Sequence, residues 1–262
     1  RERAQPALLT PGYIALSDAS RKLGDLGQAE RWLDQIAPDA NNHLAVLSNR
    51  AAILVQQGKV NEALKLVDIL PDTTAGQRKD RLLARAQILR QAGRFDASYK
   101  LLRAGLKQAP DDVDLLYEAS MMADKSGHFK EMLHMLRKAI AIDPESQPAY
   151  NALGYTLADR GENLPEARKL VARALELSPG NPFVLDSMGW VEYKMGRKDR
   201  ALDLLQQAYD ARPDPEIGAH LGEVLWQLGQ RDTARAIWQQ AIERAPNDAM
   251  VQAVLRKHGV TF

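Results

Sequence analysis

The sequence contains no cysteine, and it has no apolar run close to the roughly 20 residues that a membrane-spanning helix needs. The absence of cysteine excludes disulfide bonds, thiolate metal ligands and a thiol nucleophile. It is compatible with either a reducing or an oxidising compartment. The sequence therefore excludes thiol chemistry but does not indicate the cellular compartment.

Neither positive nor negative charge is in excess, because the sequence has 35 lysines and arginines and 34 aspartates and glutamates. A net charge of +1 gives no chain-wide field to attract nucleic acid or anionic lipid, and nucleic acid is not expected as a partner. One stretch is locally basic and contains Arg78, Lys79, Arg81, Arg85, Arg90 and Arg94. Since Asp80 and Asp96 interrupt this stretch, a solvated helix face is favoured over a patch for an acidic partner.

Catalytic and metal-binding motifs are missing as well. None of the five histidines is spaced with a carboxylate as helical metal ligands require, and there is no phosphate-binding glycine loop or nucleophile elbow. His128 and His134 lie near several methionines, which raises the alternative of a soft-metal site, but methionines at helical spacing mostly fill cores. We expect no catalytic residue, no metal site, no cofactor and no enzyme activity.

The sequence does contain an internal repeat. Glycines recur at intervals of 33 to 35 residues, at Gly24, Gly58, Gly93, Gly127, Gly161, Gly196 and Gly229. A small residue lies seven positions before each glycine, and a second column, small in most repeats, follows five or six positions after it. Two such columns allow two antiparallel helices to approach closely in each repeat. The glycine between them suits a chain reversal with positive φ.

Two successive repeats show a recognisable residue pattern. The first contains Tyr150, Leu153, Gly154, Leu157, Ala167, Val171 and Pro179. The second contains Leu185, Met188, Gly189, Ala201, Leu205 and Pro213. This pattern resembles that of the tetratricopeptide repeat. The resemblance implies an all-α fold, namely a right-handed superhelix (solenoid) of about seven helix pairs plus a C-terminal capping helix.

The resemblance predicts a single repeat domain over residues 1–262. Its repeats are expected near residues 10–43, 44–78, 79–112, 113–146, 147–181, 182–214 and 215–248, followed by the capping helix over residues 249–258. Pro38 and Pro71 come 14 and 13 residues after the glycines of the first two repeats, where later repeats usually have 17. Because proline ends a helix, the second helices of these two repeats should be about one turn shorter.

The family resemblance also assigns certain positions of each first helix to the concave groove. Aromatic residues crowd these positions in the C-terminal repeats, and aromatic side chains dominate binding hot spots. The candidate partner-binding residues are Tyr117, Met121, Asn151, Tyr155, Phe183, Asp186, Trp190, Tyr193, Glu223 and Trp226.

Two roles are assigned within this set. Asn151 resembles the concave asparagine that grips a ligand backbone in the family, and Asp186 and Glu223 offer carboxylates for a basic side chain of the ligand. The alternative is that each ring packs against the next repeat and has no part in binding.

Three stretches of the C-terminal part, residues 152–160, 181–190 and 213–226, resemble a narrower bacterial family, the LbcA-type outer-membrane repeat lipoproteins. The resemblance implies an adaptor that binds a carboxyl-terminal processing protease, activates it and presents substrates such as peptidoglycan hydrolases. Members are longer and have a lipid on an N-terminal cysteine. This chain would then be the C-terminal part of such a protein, with its lipid anchor outside the sequence.

We therefore expect a protein–protein interaction adaptor or scaffold that holds a protein or peptide in its groove. The expected location is the periplasmic side of the outer membrane, and the alternative is the cytoplasm. The alternative function is a non-proteolytic scaffold for the assembly of envelope or polysaccharide machinery.

Overall fold

The computed structural model describes residues 6–37 and 43–262, and within these ranges it contains fifteen α-helices and no strand. In chain order the helices are α1 (Pro6–Lys22), α2 (Leu26–Leu33), α3 (His43–Gln56), α4 (Val60–Val67), α5 (Ala75–Gln91), α6 (Phe95–Leu106), α7 (Val113–Lys125), α8 (Phe129–Ile142), α9 (Gln147–Asp159), α10 (Leu164–Leu177), α11 (Pro182–Lys194), α12 (Lys198–Ala211), α13 (Pro215–Gln227), α14 (Arg231–Arg244) and α15 (Ala249–His258). The all-α fold of seven helix pairs followed by one further helix is confirmed.

The chain forms two compact bodies, an N-terminal body (Arg1–Met135) and a C-terminal body (Leu136–Phe262). Within each body, neighbouring helices pack in pairs, such as α5 with α6 and α11 with α12. Successive first helices also touch, since α11 contacts both α9 and α13. The extent of the repeat domain stays a prediction.

The recurring glycines occupy the reversals between paired helices. All seven have positive φ, between 70° and 83°. At the end of α11, Gly196 donates its N–H to the carbonyl of Tyr193, and Arg197 donates to the carbonyl of Glu192, both at 2.9 Å. Such bonds satisfy the last carbonyls of a helix and require a left-handed residue, which explains the glycine.

The earlier column of small residues allows close approach within a pair. A Cβ built on Gly154 would lie 2.6 Å from Val171 Cγ2, and one on Gly189 would lie 2.6 Å from Leu205 Cγ. Side chains essentially never come so close, so glycine is required at both positions. In the N-terminal body the second column includes Ser98, whose buried hydroxyl donates to the Ala86 carbonyl at 2.9 Å.

The second helices differ in length as predicted. α2 and α4 have 8 residues each, whereas the later second helices have 12 to 14. Pro38 lies outside the described residues; Pro71 follows the end of α4.

First helices begin with strong start signals. The side chains of Asp112, Asn181, Asp214 and Asp248 each accept a hydrogen bond from a backbone N–H in the first turn of α7, α11, α13 and α15. These caps satisfy orphan donors at the helix start. They define where α11 and α13 begin, the two helices that contain six of the ten candidate residues.

The core of the C-terminal body lies between these first helices and their partners. It includes the fully buried Leu205, Leu221, Trp238 and Val251, with Leu255 of α15 6% exposed. α15 contacts both α13 and α14. The last helix therefore covers the apolar side of the seventh pair, which is the role of a cap in repeat proteins.

Candidate functional site

The first helices of the C-terminal body bring polar and aromatic side chains into two adjoining clusters. We call Tyr155, Asp186, Trp190 and His220 the His220 cluster, and Tyr193, Glu223, Lys257 and His258 the Glu223 cluster. Each cluster joins residues of successive first helices, because residues about one repeat apart in sequence lie next to each other in the stack.

His220 is the centre of the first cluster and is buried. Its Nδ1 lies 2.9 and 3.0 Å from the two Asp186 carboxylate oxygens, and its Nε2 lies 3.4 Å from the Tyr155 hydroxyl. The ring stacks on Trp190 with centroids 4.1 Å apart and an interplanar angle of 22°. The imidazole is thus held on both nitrogens and on one face.

The charge state of His220 follows from this environment. Burial lowers its pKa, but the Asp186 carboxylate more than offsets burial, with smaller help from Asp159 and Glu216, so that the pKa of His220 is raised. The His220–Asp186 contact is therefore a buried ion pair when the imidazole is protonated.

Trp190 joins the two clusters. Its indole Nε1 donates to Asp159 Oδ1 at 3.1 Å, its ring lies 5.0 Å from the Tyr193 ring, and the Lys194 ammonium sits 5.2 Å from its centroid. With the stacked His220, these contacts leave Trp190 9% exposed.

Glu223 is the centre of the second cluster, and its side chain is 2% exposed. Its carboxylate accepts hydrogen bonds from Tyr193 at 3.1 Å and Lys257 at 2.8 Å, and its Oε2 lies 2.6 Å from His258 Nε2. Burial raises the pKa of Glu223, but Lys257 and His258 outweigh burial and lower it. Burial, with the nearby Glu223 carboxylate, raises the pKa of Tyr193 to about 12.

α15 supplies the basic partners of Glu223 and also covers the Trp226 ring. Trp226 lies 5.5 Å from the Trp238 ring and 5.1 Å from the His258 ring, measured between centroids. On another side, the Arg231 guanidinium lies 5.2 Å from the Trp226 centroid. Trp226 keeps only part of its surface open to solvent.

The ten candidate partner-binding residues divide by exposure. Asp186, Trp190 and Glu223 are buried. Phe183 is 42% exposed, and the partly exposed positions are Tyr117, Met121, Asn151, Tyr155, Tyr193 and Trp226. Partner binding at these positions stays a prediction. Asp186 contacts His220, and Glu223 contacts Lys257 and His258, so the basic partners of both carboxylates come from within the chain.

Several candidates stand apart from the two clusters. Tyr117 and Met121 lie on α7 in the N-terminal body. Phe183 opens α11, with the Arg212 guanidinium 5.0 Å from its ring centroid. The buried Oδ1 of Asn151 has no hydrogen-bond partner among the described residues.

Sequence reasoning missed His220 and the buried Glu192. His220 could have been found, because it lies one repeat period after Asp186.

Glu192 is paired with Arg168 at 2.9 Å, with Arg197, and with Arg200 at 3.7 Å. Burial raises the pKa of Glu192, but Arg197 and Arg168 outweigh it and hold the pKa below its usual value.

Three of the six residues of the basic run are paired with acids of the N-terminal body. The ion pairs are Arg81 with Asp72, Arg85 with Asp68, and Lys79 with Asp112 and Asp114. These pairs offset much of the positive charge on α5, while Arg78 and Arg90 are hydrogen-bonded to uncharged groups, which agrees with a solvated helix face.

Neither a metal cluster nor a membrane span is found in the described parts of the chain. Residues 6–37 and 43–262 contain no group of three or more His, Cys, Asp or Glu residues that could hold a metal ion. None of their helices is long and apolar enough to cross a membrane.

His128 stacks on Tyr99 with centroids 4.9 Å apart, and Met122, Met132 and Met135 are buried.

Paired helices with glycine reversals and close-packed small columns define a helical repeat protein. Profiles of the tetratricopeptide-repeat family match residues 11–35, 79–122, 123–182 and 192–257, together more than half of the chain. The chain belongs to the tetratricopeptide-repeat proteins. Proteins of this family are generally non-catalytic scaffolds that bind proteins or peptides.

The relatives that are similar in sequence include two bacterial proteins. The TPR repeat-containing protein PA4667 of Pseudomonas aeruginosa is 36% identical over 211 residues, covering 80% of this chain and 36% of the relative. Cellulose synthase operon protein C of Pseudomonas fluorescens is 29% identical over 197 residues, covering 70% of this chain and 15% of the relative. The chain thus spans about a third of the first relative and a smaller share of the second.

Solved structures of tetratricopeptide-repeat proteins are similar in fold, and one of them is also similar in sequence at more than 25% identity. It is the crystal structure of TTC0263, a thermophilic TPR protein of Thermus thermophilus, with a TM-score of 0.61 and 26% sequence identity. The match covers 68% of this chain and 97% of that chain.

Proposed function

We propose that this chain is a protein-binding adaptor whose C-terminal body holds a segment of a partner protein. The observation on which the proposal rests is that Tyr155 and Tyr193 are partly exposed while their hydroxyls contact buried His220 and Glu223. Rings already fixed within the free protein lose little conformational entropy when a partner covers them. Tyrosine also combines a large apolar area with a polar hydroxyl, as binding hot spots require.

The buried residues have a supporting role in this proposal. Asp186 orients His220, and His220 and Trp190 pack beneath the tyrosines. Asn151 and Phe183 extend the partly exposed surface along α9 and α11. The contact surface is then formed by Asn151, Tyr155, Phe183 and Tyr193, and the buried set maintains its geometry.

The proposed partner is a carboxyl-terminal processing protease of the periplasm, together with the peptidoglycan hydrolases that it degrades. This part is supported by the resemblance of residues 152–160, 181–190 and 213–226 to outer-membrane adaptor lipoproteins. The proposed location is the periplasmic side of the outer membrane, with the lipid anchor outside this chain.

A pull-down from bacterial envelope extract tests the proposal. The purified chain should recover a processing protease or a cell-wall hydrolase, identified by mass spectrometry. A Tyr155→Ala/Phe183→Ser variant should lose most of this recovery, because truncation of central aromatic contacts typically costs more than about 1 kcal/mol each.

The matched control is Ile69→Ser, which removes a 66% exposed apolar side chain from the N-terminal body. It should recover the partner as well as the unmodified chain does. Recovery of cytosolic proteins alone would contradict the periplasmic adaptor. An equal loss of partner recovery with Ile69→Ser would show that binding does not depend on the contact surface of the C-terminal body.

A second candidate is a scaffold that joins subunits of polysaccharide machinery without proteolysis. The similarity to cellulose synthase operon protein C over 197 residues favours it. Deletion of the gene distinguishes the two candidates. If the protein is a scaffold, deletion lowers exopolysaccharide output and leaves hydrolase turnover unchanged. If it is the protease adaptor, deletion stabilises the hydrolase.

A further inference from the structure

The N-terminal body contains an open groove of about 420 Å³ lined by residues of α3, α5 and α7. Its apolar lining comes from Leu44, Leu83, Ala84 and Tyr117. None of these four side chains is fully buried, and Leu44 is 41% exposed. The groove therefore presents apolar surface to solvent, where a side chain of another molecule would gain from burial.

The charged residues of the groove lining are acidic. Asp80, Asp114 and Glu118 line the groove, and no lysine or arginine does. Asp114 is paired with Lys79 at 2.6 Å. Asp80 and Glu118 have no ion pair with any described residue.

The nearby cations do not cancel this charge. Lys79 is shared between Asp112 and Asp114, and Arg81 is paired with Asp72. Arg90 is close enough to act on the Tyr117 hydroxyl, and it is hydrogen-bonded to Gln87. Four carboxylates, those of Asp80, Asp112, Asp114 and Glu118, therefore stand against the two cations Lys79 and Arg90, and the surroundings of the groove stay negative. The local field therefore attracts cationic groups and repels phosphates and carboxylates.

Tyr117 lies where apolar and acidic surfaces meet. Burial, and then the neighbouring Glu118 carboxylate, raise the pKa of Tyr117 and outweigh the opposing effect of Arg90, so its hydroxyl stays protonated at neutral pH. The hydroxyl makes no hydrogen bond to another described residue. An aromatic ring beside carboxylates can pack against the stem of a lysine or arginine while the acids receive its charge.

We propose that this groove binds an extended segment of a partner protein in which an apolar side chain is flanked by lysine or arginine. The apolar side chain lies against Leu44, Leu83 and Tyr117, and the basic side chains reach Asp80 and Glu118. The inference deepens the proposed adaptor function, on which it rests, by naming the chemistry of a segment bound by the N-terminal body.

Fluorescence anisotropy with a labelled peptide tests the proposal on the whole chain. The probe has Leu-Phe at its centre, two lysines on each side and Gly-Ser ends. Binding should be weaker at 0.5 M than at 0.1 M salt, because Asp80 is exposed and Glu118 partly exposed, so that salt screens both charges. An Asp80→Asn/Glu118→Gln variant should bind the probe roughly fivefold more weakly, as expected for two exposed charge contacts.

The control variant is Asp199→Asn/Asp203→Asn, which removes two exposed carboxylates from α12 in the C-terminal body. It changes the net charge equally and should bind the probe with unchanged affinity. Thermal unfolding of both variants should match that of the unmodified chain, because none of the four carboxylates forms an ion pair with a described residue.

Two further peptides make the result decisive. A peptide with glutamate in place of lysine, and one with Ser-Ser in place of Leu-Phe, should both bind much more weakly. Equal binding of the glutamate peptide, or equal affinity of the Asp80→Asn/Glu118→Gln variant for the lysine probe, would overturn the proposal. The peptide experiment requires no protease or envelope extract, so its failure is distinguishable from failure of the adaptor function.

Discussion

At the scale of single residues, small side chains decide how closely paired helices approach. Gly222 of α13 faces Trp238 of α14, the largest fully buried side chain of the described residues. A Cβ on Gly222 would overlap three atoms of the indole ring. The ring has no room to retreat, because it also stacks on His258 and donates to the Ala219 carbonyl.

Gly222→Ala should therefore lower the free energy of unfolding by about 3 kcal/mol, as overpacked cores do. The measurement is denaturant unfolding followed by tryptophan fluorescence. Gly76→Ala is the control, since a Cβ on Gly76 in α5 meets nothing within 4 Å. Alanine is the better helix former, so this control should be neutral or slightly stabilising; equal stability of the two variants would contradict the packing account.

The His220–Asp186 pair predicts a dependence of stability on pH. Because the folded state raises the pKa of His220, the pair stabilises fully below the ordinary pKa of about 6.5 and loses this contribution as pH rises through the raised value. The difference in unfolding free energy between the unmodified chain and His220→Gln should therefore shrink between pH 6 and pH 9.

The control for this measurement is His134→Gln, which replaces an exposed imidazole. Its difference from the unmodified chain should stay nearly constant over the same range. If the difference in unfolding free energy between the unmodified chain and His220→Gln grows with pH, the imidazole is neutral in the folded protein and does not form an ion pair with Asp186.

Sequence reasoning succeeded for residues whose role is local. The positive φ of the seven glycines follows from the reversal of the chain beside them. The roles of His220 and Glu192 depend on partners from other helices. Arg168 lies on α10, Arg197 in the following turn of the chain after α11, and Arg200 on α12, so their convergence on Glu192 has no spacing signature.

At the scale of elements, the last helix connects stability to the candidate surface. Leu255 of α15 is 6% exposed in the core of the C-terminal body, while Lys257 and His258 of the same helix hold Glu223. Docking of α15 therefore fixes Glu223 and, through it, the hydroxyl of Tyr193.

Leu255→Ala should lower the free energy of unfolding by about 2–5 kcal/mol, as buried leucine truncations do. Arg256→Ala, one position along the same helix and exposed, should change it by less than about 0.5 kcal/mol. Thermal unfolding monitored by circular dichroism measures both. Similar values for the two variants would mean that α15 does not dock through its apolar face.

The lengths of the second helices were predictable from the prolines that follow them, because proline does not continue the helical hydrogen-bond pattern. The short α2 and α4 follow from this rule. The burial of Trp190 was not predictable, because it depends on His220 and Lys194 covering its faces, and the family pattern assigns only a position in the groove.

At the scale of the whole molecule, the chain consists of two compact bodies, each built from paired helices. Each body presents a different chemistry on its first helices: apolar and acidic in the N-terminal body, aromatic with buried ion pairs in the C-terminal body. Repeat folds serve many unrelated tasks, so function must be tested on the surface and not on the fold.

The most direct test of the adaptor role is the rate at which a processing protease from the same envelope cleaves a peptidoglycan hydrolase, with and without this chain. The account predicts faster cleavage with the unmodified chain and with Ile69→Ser, and a rate near that of the protease alone with Tyr155→Ala/Phe183→Ser. An equal cleavage rate with and without the unmodified chain would contradict it.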